Sequence, residues 1–169
     1  DPNMLPSIVQ FIPVLQNWYM QGKEFPNGHQ IMLSNIASAF LAVFANGLEL
    51  NIDLLNEAIC EFPPFDTHET APMIQNMAKI FTSAADKIDI SCVQNAALAL
   101  SKFFLLNEVE LKNRKVPPEL MQVAHQMFVA FSNSNPDIIQ SILEKYQNSQ
   151  SKLEKLNMIL QWFFYLFIL

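Results

Sequence analysis

The side chains best placed to begin chemistry are His29, His68 and His125, as proton carriers or metal ligands, and Cys60 and Cys92, as nucleophiles. Their spacing argues against all three roles. No two histidines stand at the i, i+4 distance that puts two ligands on one helix face. "HETAP" departs from the H-E-x-x-H zinc motif because Pro72 takes the place of the second histidine. His29 falls in a Pro/Gly linker, His68 in "DTHET" and His125 in a helical run, so each reads as a surface or cap residue. Both cysteines sit in apolar helical segments and read as reduced, structural thiols. The phosphate-binding loops G-x-G-x-x-G and G-x-x-x-x-G-K-[ST] and the nucleophile elbow G-x-S-x-G are missing from the sequence. The expectation is a chain with no catalytic residue, no cofactor and no metal.

Composition narrows the class further. Of 169 residues, 51% are hydrophobic, enough to bury a substantial core in one domain. Three glycines against fourteen phenylalanines and eight methionines suit helices better than short strands with tight turns. A formal charge of −6, with basic residues scattered singly, offers no cationic stripe for a phosphate backbone, which argues against direct nucleic-acid binding. With no basic segment ahead of an apolar run at "DPNMLPSIVQ" and no N-x-[ST] acceptor, the expected setting is cytoplasmic or nuclear. The start without methionine and the stop in mid-pattern suggest a fragment of a longer chain.

Periodicity and punctuation predict eight helices and no strand. They run over about residues 5–20, 30–45, 51–60, 70–86, 89–107, 118–134, 136–147 and 151–169. Gly22, Pro26 and Gly28 are expected to break the chain between the first two. Asn51, Asp66 or Thr67, Asp89 and Asn135 are expected caps, Pro118 and Pro136 first-turn prolines, and Ser151 with Glu154 a capping box. "ELKNRK", residues 110–115, reads as a solvated loop that could also dock an acidic partner.

A repeat is visible. "MLSNIASAF" at residues 32–40 returns 41 positions later as "MIQNMAKIF" at residues 73–81, and "VAHQMF" echoes it more weakly around Ala124 and Phe128. Alanines at Ala37, Ala78 and Ala124 would let helices approach closely, and Phe40, Phe81 and Phe128 would fill the space one turn on. Helical hairpins recurring every 40 to 47 residues are the mark of HEAT or armadillo arrays. The expected architecture is all-α: antiparallel hairpins stacked as a HEAT-like α-solenoid in one domain, residues 1–169. Its hairpins would be 29–62, 66–107 and 116–148, with an incomplete one at 151–169.

"CVQNAALALSKFF", the loop "NEVELKNRK" and "LMQVAHQMFVAFSNSNPDIIQSILEKY" together resemble the rhythm of importin-β and exportin repeats over Cys92–Tyr146, about a third of the chain. The resemblance implies a transport-receptor-like scaffold that binds a protein or peptide. That family's Ran-binding acidic loop and amino-terminal repeats are not located here. Second helices of hairpins usually line the inner surface of a solenoid, which makes Glu57, Gln94, Ser101, Gln140 and Glu144 candidate partner-binding positions. From Met158 to Leu169 only Gln161 is polar. As a membrane anchor the tail is short of the ~20 apolar residues a span requires. It reads instead as a repeat helix lacking its partner, with Trp162, Phe163, Tyr165 and Phe167 expected to be exposed and able to drive homodimerisation. The competing class is a membrane-associated helical bundle resembling the apoptosis regulators.

Overall fold

Helix starts along this chain are set by prolines and by short polar side chains. In the computed structural model, residues 5–48 and 51–166 are described, and among them are nine α-helices and no strand. They are α1 (Leu5–Glu24), α2 (Pro26–Ala45), α3 (Ile52–Cys60), α4 (Thr70–Ser83), α5 (Ile90–Phe104), α6 (Glu108–Asn113), α7 (Pro118–Ser134), α8 (Pro136–Lys145) and α9 (Gln150–Leu166). Single 3-10 turns at Thr67–Glu69 and Ala85–Lys87 flank α4.

Several expected caps form. Asn51 accepts from the amide of Asp53, Asp66 from that of His68, and Asp89 from that of Cys92. Pro118 and Pro136 open their helices, where a missing amide donor costs nothing. At the end of α2, Gly47 takes a φ of 82°. Its amide reaches the Phe44 carbonyl at 2.9 Å and that of Leu48 reaches Val43 at 3.3 Å, the double bond of a Schellman stop.

Other expectations are corrected. Gly22 does not break α1: it lies buried inside it, and a Cβ there would meet Met32 Cε at 2.7 Å and Leu33 Cδ2 at 2.9 Å. Its lack of a side chain lets α2 approach. Pro26 starts α2 rather than ending α1, and Gly28 sits within the first turn. Asn135 precedes α8 without a side-chain cap bond. The expected capping box at Ser151 does not form, because α9 begins one residue earlier and Glu154 Oε1 accepts from Gln150 Nε2 at 2.9 Å. A box forms instead at Asn107 and Glu110, turning the expected loop into α6.

Packing follows two lines. α2 lies against α1, α3 and α4, and α4 continues to α7, on which α9 rests. On the other line α3 packs on α5, and α5 on both α7 and α8. Between Leu33 and Ala45 only Asn35, Ala39 and Ala42 escape full burial, so α2 is covered on almost every side. The stretch Gly28–Ala45 has the length and mean hydropathy (1.3) of a membrane span, but 56% of it is buried within the fold. Aromatic rings thread the elements together. Phe62 stacks on Phe103 at 5.3 Å, Phe103 on Phe104 at 5.3 Å, and Phe104 on Phe128 at 5.8 Å, while Phe81 meets Phe131 at 4.7 Å.

The sequence echo is out of phase with burial by one position. Ala37 and Phe40 are fully buried, but their counterparts Ala78 and Phe81 are half-buried, and Met77 and Ile80 take the deep places. Matching buried positions pairs Leu33 with Met73, Ala37 with Met77 and Phe40 with Ile80, a spacing of 40 rather than 41. Ala124 and Phe128 are buried as expected.

Phe103→Ala removes the fully buried α5 ring that meets Phe62 beyond the end of α3 and Phe104 beside it, and is expected to cost about 3–5 kcal/mol in urea unfolding followed by circular dichroism. Phe65→Ala, at an exposed ring, is expected to stay within about 0.5 kcal/mol. Equal losses at both positions would contradict the assigned core.

Candidate protein-binding surfaces

The sequence candidates separate once placed on the fold. Gln140 and Glu144 are exposed on α8 and joined at 3.1 Å, the expected i, i+4 ridge. Gln94 is exposed on α5. Ser101 is corrected: it is fully buried and its hydroxyl donates to the Leu98 carbonyl at 2.7 Å, so it presents nothing to a partner. Glu57 is half-buried and already engaged, with Lys23 Nζ at 3.1 Å from its Oε2. Beside it the Tyr19 hydroxyl donates to Glu61 Oε1 at 3.0 Å. Burial and the Glu61 carboxylate push the Tyr19 phenol well above its usual range, so it remains a neutral donor that staples α1 to α3. Trp162, Phe163, Tyr165 and Phe167 lie outside the residues whose side chains are described.

A polar network between α3 and α5 was missed. Asn95 Nδ2 donates to Asn56 Oδ1 at 3.0 Å, Asn56 Nδ2 to Ser91 Oγ at 2.7 Å, and Ser91 to Asp89 Oδ1 at 2.6 Å. The Ser91 hydroxyl and the Cys92 amide together hold the Asp89 carboxyl below its ordinary range. The available signal was the asparagine interrupting each of the runs "IDLLNEAIC" and "ISCVQNAALAL". Arg114, from the expected basic loop, is likewise turned inward. Its Nη1 donates to the Pro64 carbonyl at 2.8 Å and to Thr70 Oγ1 at 2.9 Å, clipping the end of α6 to the linker ahead of α4. Burial lowers the guanidinium pKa, and Lys112 and Lys115 are the cluster's exposed cations.

Chemistry-bearing groups stay apart. His68 Nδ1 lies 3.2 Å from Asp66 Oδ1 at the surface, and the same oxygen accepts the His68 amide, which holds the Asp66 carboxyl low. His125 Nε2 meets the Ile159 carbonyl at 2.7 Å, tying α7 to α9. Among the described residues no three His, Cys, Asp or Glu side chains gather as a metal site.

What the surface does offer is apolar relief. One groove, of 810 Å³, lies between α7 and α9 over Phe104, Met121, Met158 and Ile159, with Lys155 at its edge donating to the Leu106 carbonyl at 2.7 Å. A second, of 700 Å³, runs between α1 and α2 past Leu15, Trp18, Ile31, Asn35 and Phe65. It adjoins a third, of 600 Å³, that shares Trp18, His29 and Met32 with it and extends to Glu24 and Phe25.

The thiols provide a check. Both cysteines are free: Cys60 is exposed although partial burial raises its thiol too, whereas Cys92 is buried and burial pushes its thiol up to about 11, so it stays protonated near pH 8. Ellman's reagent is expected to titrate Cys60 in the native protein and Cys92 only on unfolding, with the fast phase lost in Cys60→Ser. Two thiols reacting at similar rates would contradict this placement. No protein-family model matches the chain, and comparison with curated proteins and with solved structures finds no significant match.

Proposed function

We propose that the chain is a stretch of HEAT-like α-solenoid that acts as a non-catalytic scaffold for another protein or peptide. The observation that carries this reading is the order of packing. Along one line α2 is followed by α4 and then α7, and along the other α3 by α5 and then α8, an order that stacked two-helix repeats would produce. Stacked repeats present broad faces, and apolar grooves lie beside α1 and beside α9. A transport-receptor-like role is the more specific form, supported by the exportin-like rhythm over Cys92–Tyr146.

Cross-linking affinity capture with the immobilised chain tests the reading. Protein partners are expected to enrich over bare resin and to resist about 150 mM salt, a concentration that weakens contacts between exposed charges. A chain that enriches no protein at any salt concentration, or that turns over a small molecule, overturns it.

A further inference from the structure

We infer that the groove between α1 and α2 is a docking site for an amphipathic helix of a partner protein, one that carries basic residues beside its apolar stripe. This deepens the scaffold reading and rests on it.

The groove has a helix's own spacing. From Leu33 to Ala45 α2 is buried except at Asn35, Ala39 and Ala42, and these continue from the exposed Ile31 as an i, i+4, i+8, i+11 ridge about 16 Å long. Trp18 of α1 walls one side and Phe65 of the linker the other, with Phe25 at the end where α1 meets α2. These are among the most exposed large apolar side chains described: Trp18 51%, Ile31 55%, Phe65 60% and Phe25 65%. Two aromatic walls around an aliphatic floor are what a helix presenting apolar anchors at i, i+3, i+4 and i+7 fills. α2 already takes a helix in this way, since α4 packs on it and buries Met73, Ile74, Met77 and Ile80.

Charge selects the partner. Glu24 lines one end of the groove. Beside the Phe65 wall, Asn35, with its amide nitrogen turned to the carboxylate, donates to Asp66 Oδ2 at 3.2 Å. The nearest cations point elsewhere: Lys23 is on Glu57, and Arg114 is on Pro64 and Thr70. His29 is the one titratable base among the described lining residues. A helix with lysine or arginine flanking its stripe meets Glu24 at one end and Asp66 beside the Phe65 wall, and the chain's formal charge of −6 favours its approach.

The test uses a designed helical peptide of about 15 residues with leucines at i, i+3, i+4 and i+7 and lysine flanks, beside a twin with glutamate flanks. Fluorescein anisotropy is expected to give a dissociation constant of about 1–100 μM for the lysine peptide and at least tenfold weaker binding for its twin. In a Trp162→Phe background the emission of Trp18 is expected to shift to the blue on binding. Ile31→Lys, at an exposed position that leaves the thermal midpoint unchanged, is expected to weaken binding at least tenfold, and Glu24→Gln about threefold. Gln126→Lys, at an exposed position on α7, is expected to have no effect. Equal binding of the two peptides, or binding insensitive to Ile31→Lys, overturns the proposal. So does sedimentation showing a dimer of the free chain that Ile31→Lys dissolves, because the occupant is then a second copy. If Ile31→Lys binds neither peptide yet captures the same proteins as the wild type, those proteins do not use the groove: the docking proposal fails and the scaffold reading stands.

Discussion

The structure depends on covering two helices that are apolar on more than one face. In α2 a run of Leu, Ile, Ala, Phe and Val from Leu33 to Ala45 is interrupted by only two serines and one asparagine, and both serines, Ser34 and Ser38, are themselves buried. In α5, Ala96, Ala97, Ala99, Leu100, Phe103 and Phe104 face several directions at once. Neither helix can hide its apolar surface against a single neighbour. At about 25 cal/mol per Å² of apolar area removed from water, each uncovered face is a substantial loss. Helices α1, α3 and α4 close around the first, and α3, α7 and α8 around the second, so the shared α3 links the two.

Polar contacts then set the register that apolar packing leaves loose. The Asn56–Asn95 bond fixes how α3 slides on α5, Tyr19 and Lys23 fix the end of α1 on α3, and Arg114 fixes α6 on the linker before α4. Hydrogen bonds of this kind contribute only about 1 kcal/mol each, but they are directional where leucine and phenylalanine contacts are not. The charged groups that a reader of the sequence would offer to partners are in several cases already committed to this internal task, Glu57 and Arg114 among them.

Much of this was legible from local chemistry. Asn51 and Asp89 announced helix starts because their side chains can reach free first-turn amides, and Pro118 and Pro136 did so because proline fits only there. Errors arose where a residue has two uses. Pro26 both ends and begins helices, and only the nearness of α1 to α2 at Gly22 decides between them. Ser101 looked like surface because serine usually is, yet its hydroxyl is satisfied by the turn below it and can be buried. The echo at residues 32–40 and 73–81 named the right helices but the wrong phase, because methionine and alanine can exchange deep positions without altering the pattern of apolar letters. The groove beside α1 was invisible in sequence, since its walls come from three separate segments.

Native-state hydrogen exchange tests most directly the claim that α2 and α5 carry the fold. Amides from Leu33 to Phe44 and from Ala96 to Phe103 are expected to exchange last, only through global unfolding, with α6 and the start of α9 opening earlier at lower free energy. Exchange of α2 or α5 ahead of α6 and α8 would contradict the account.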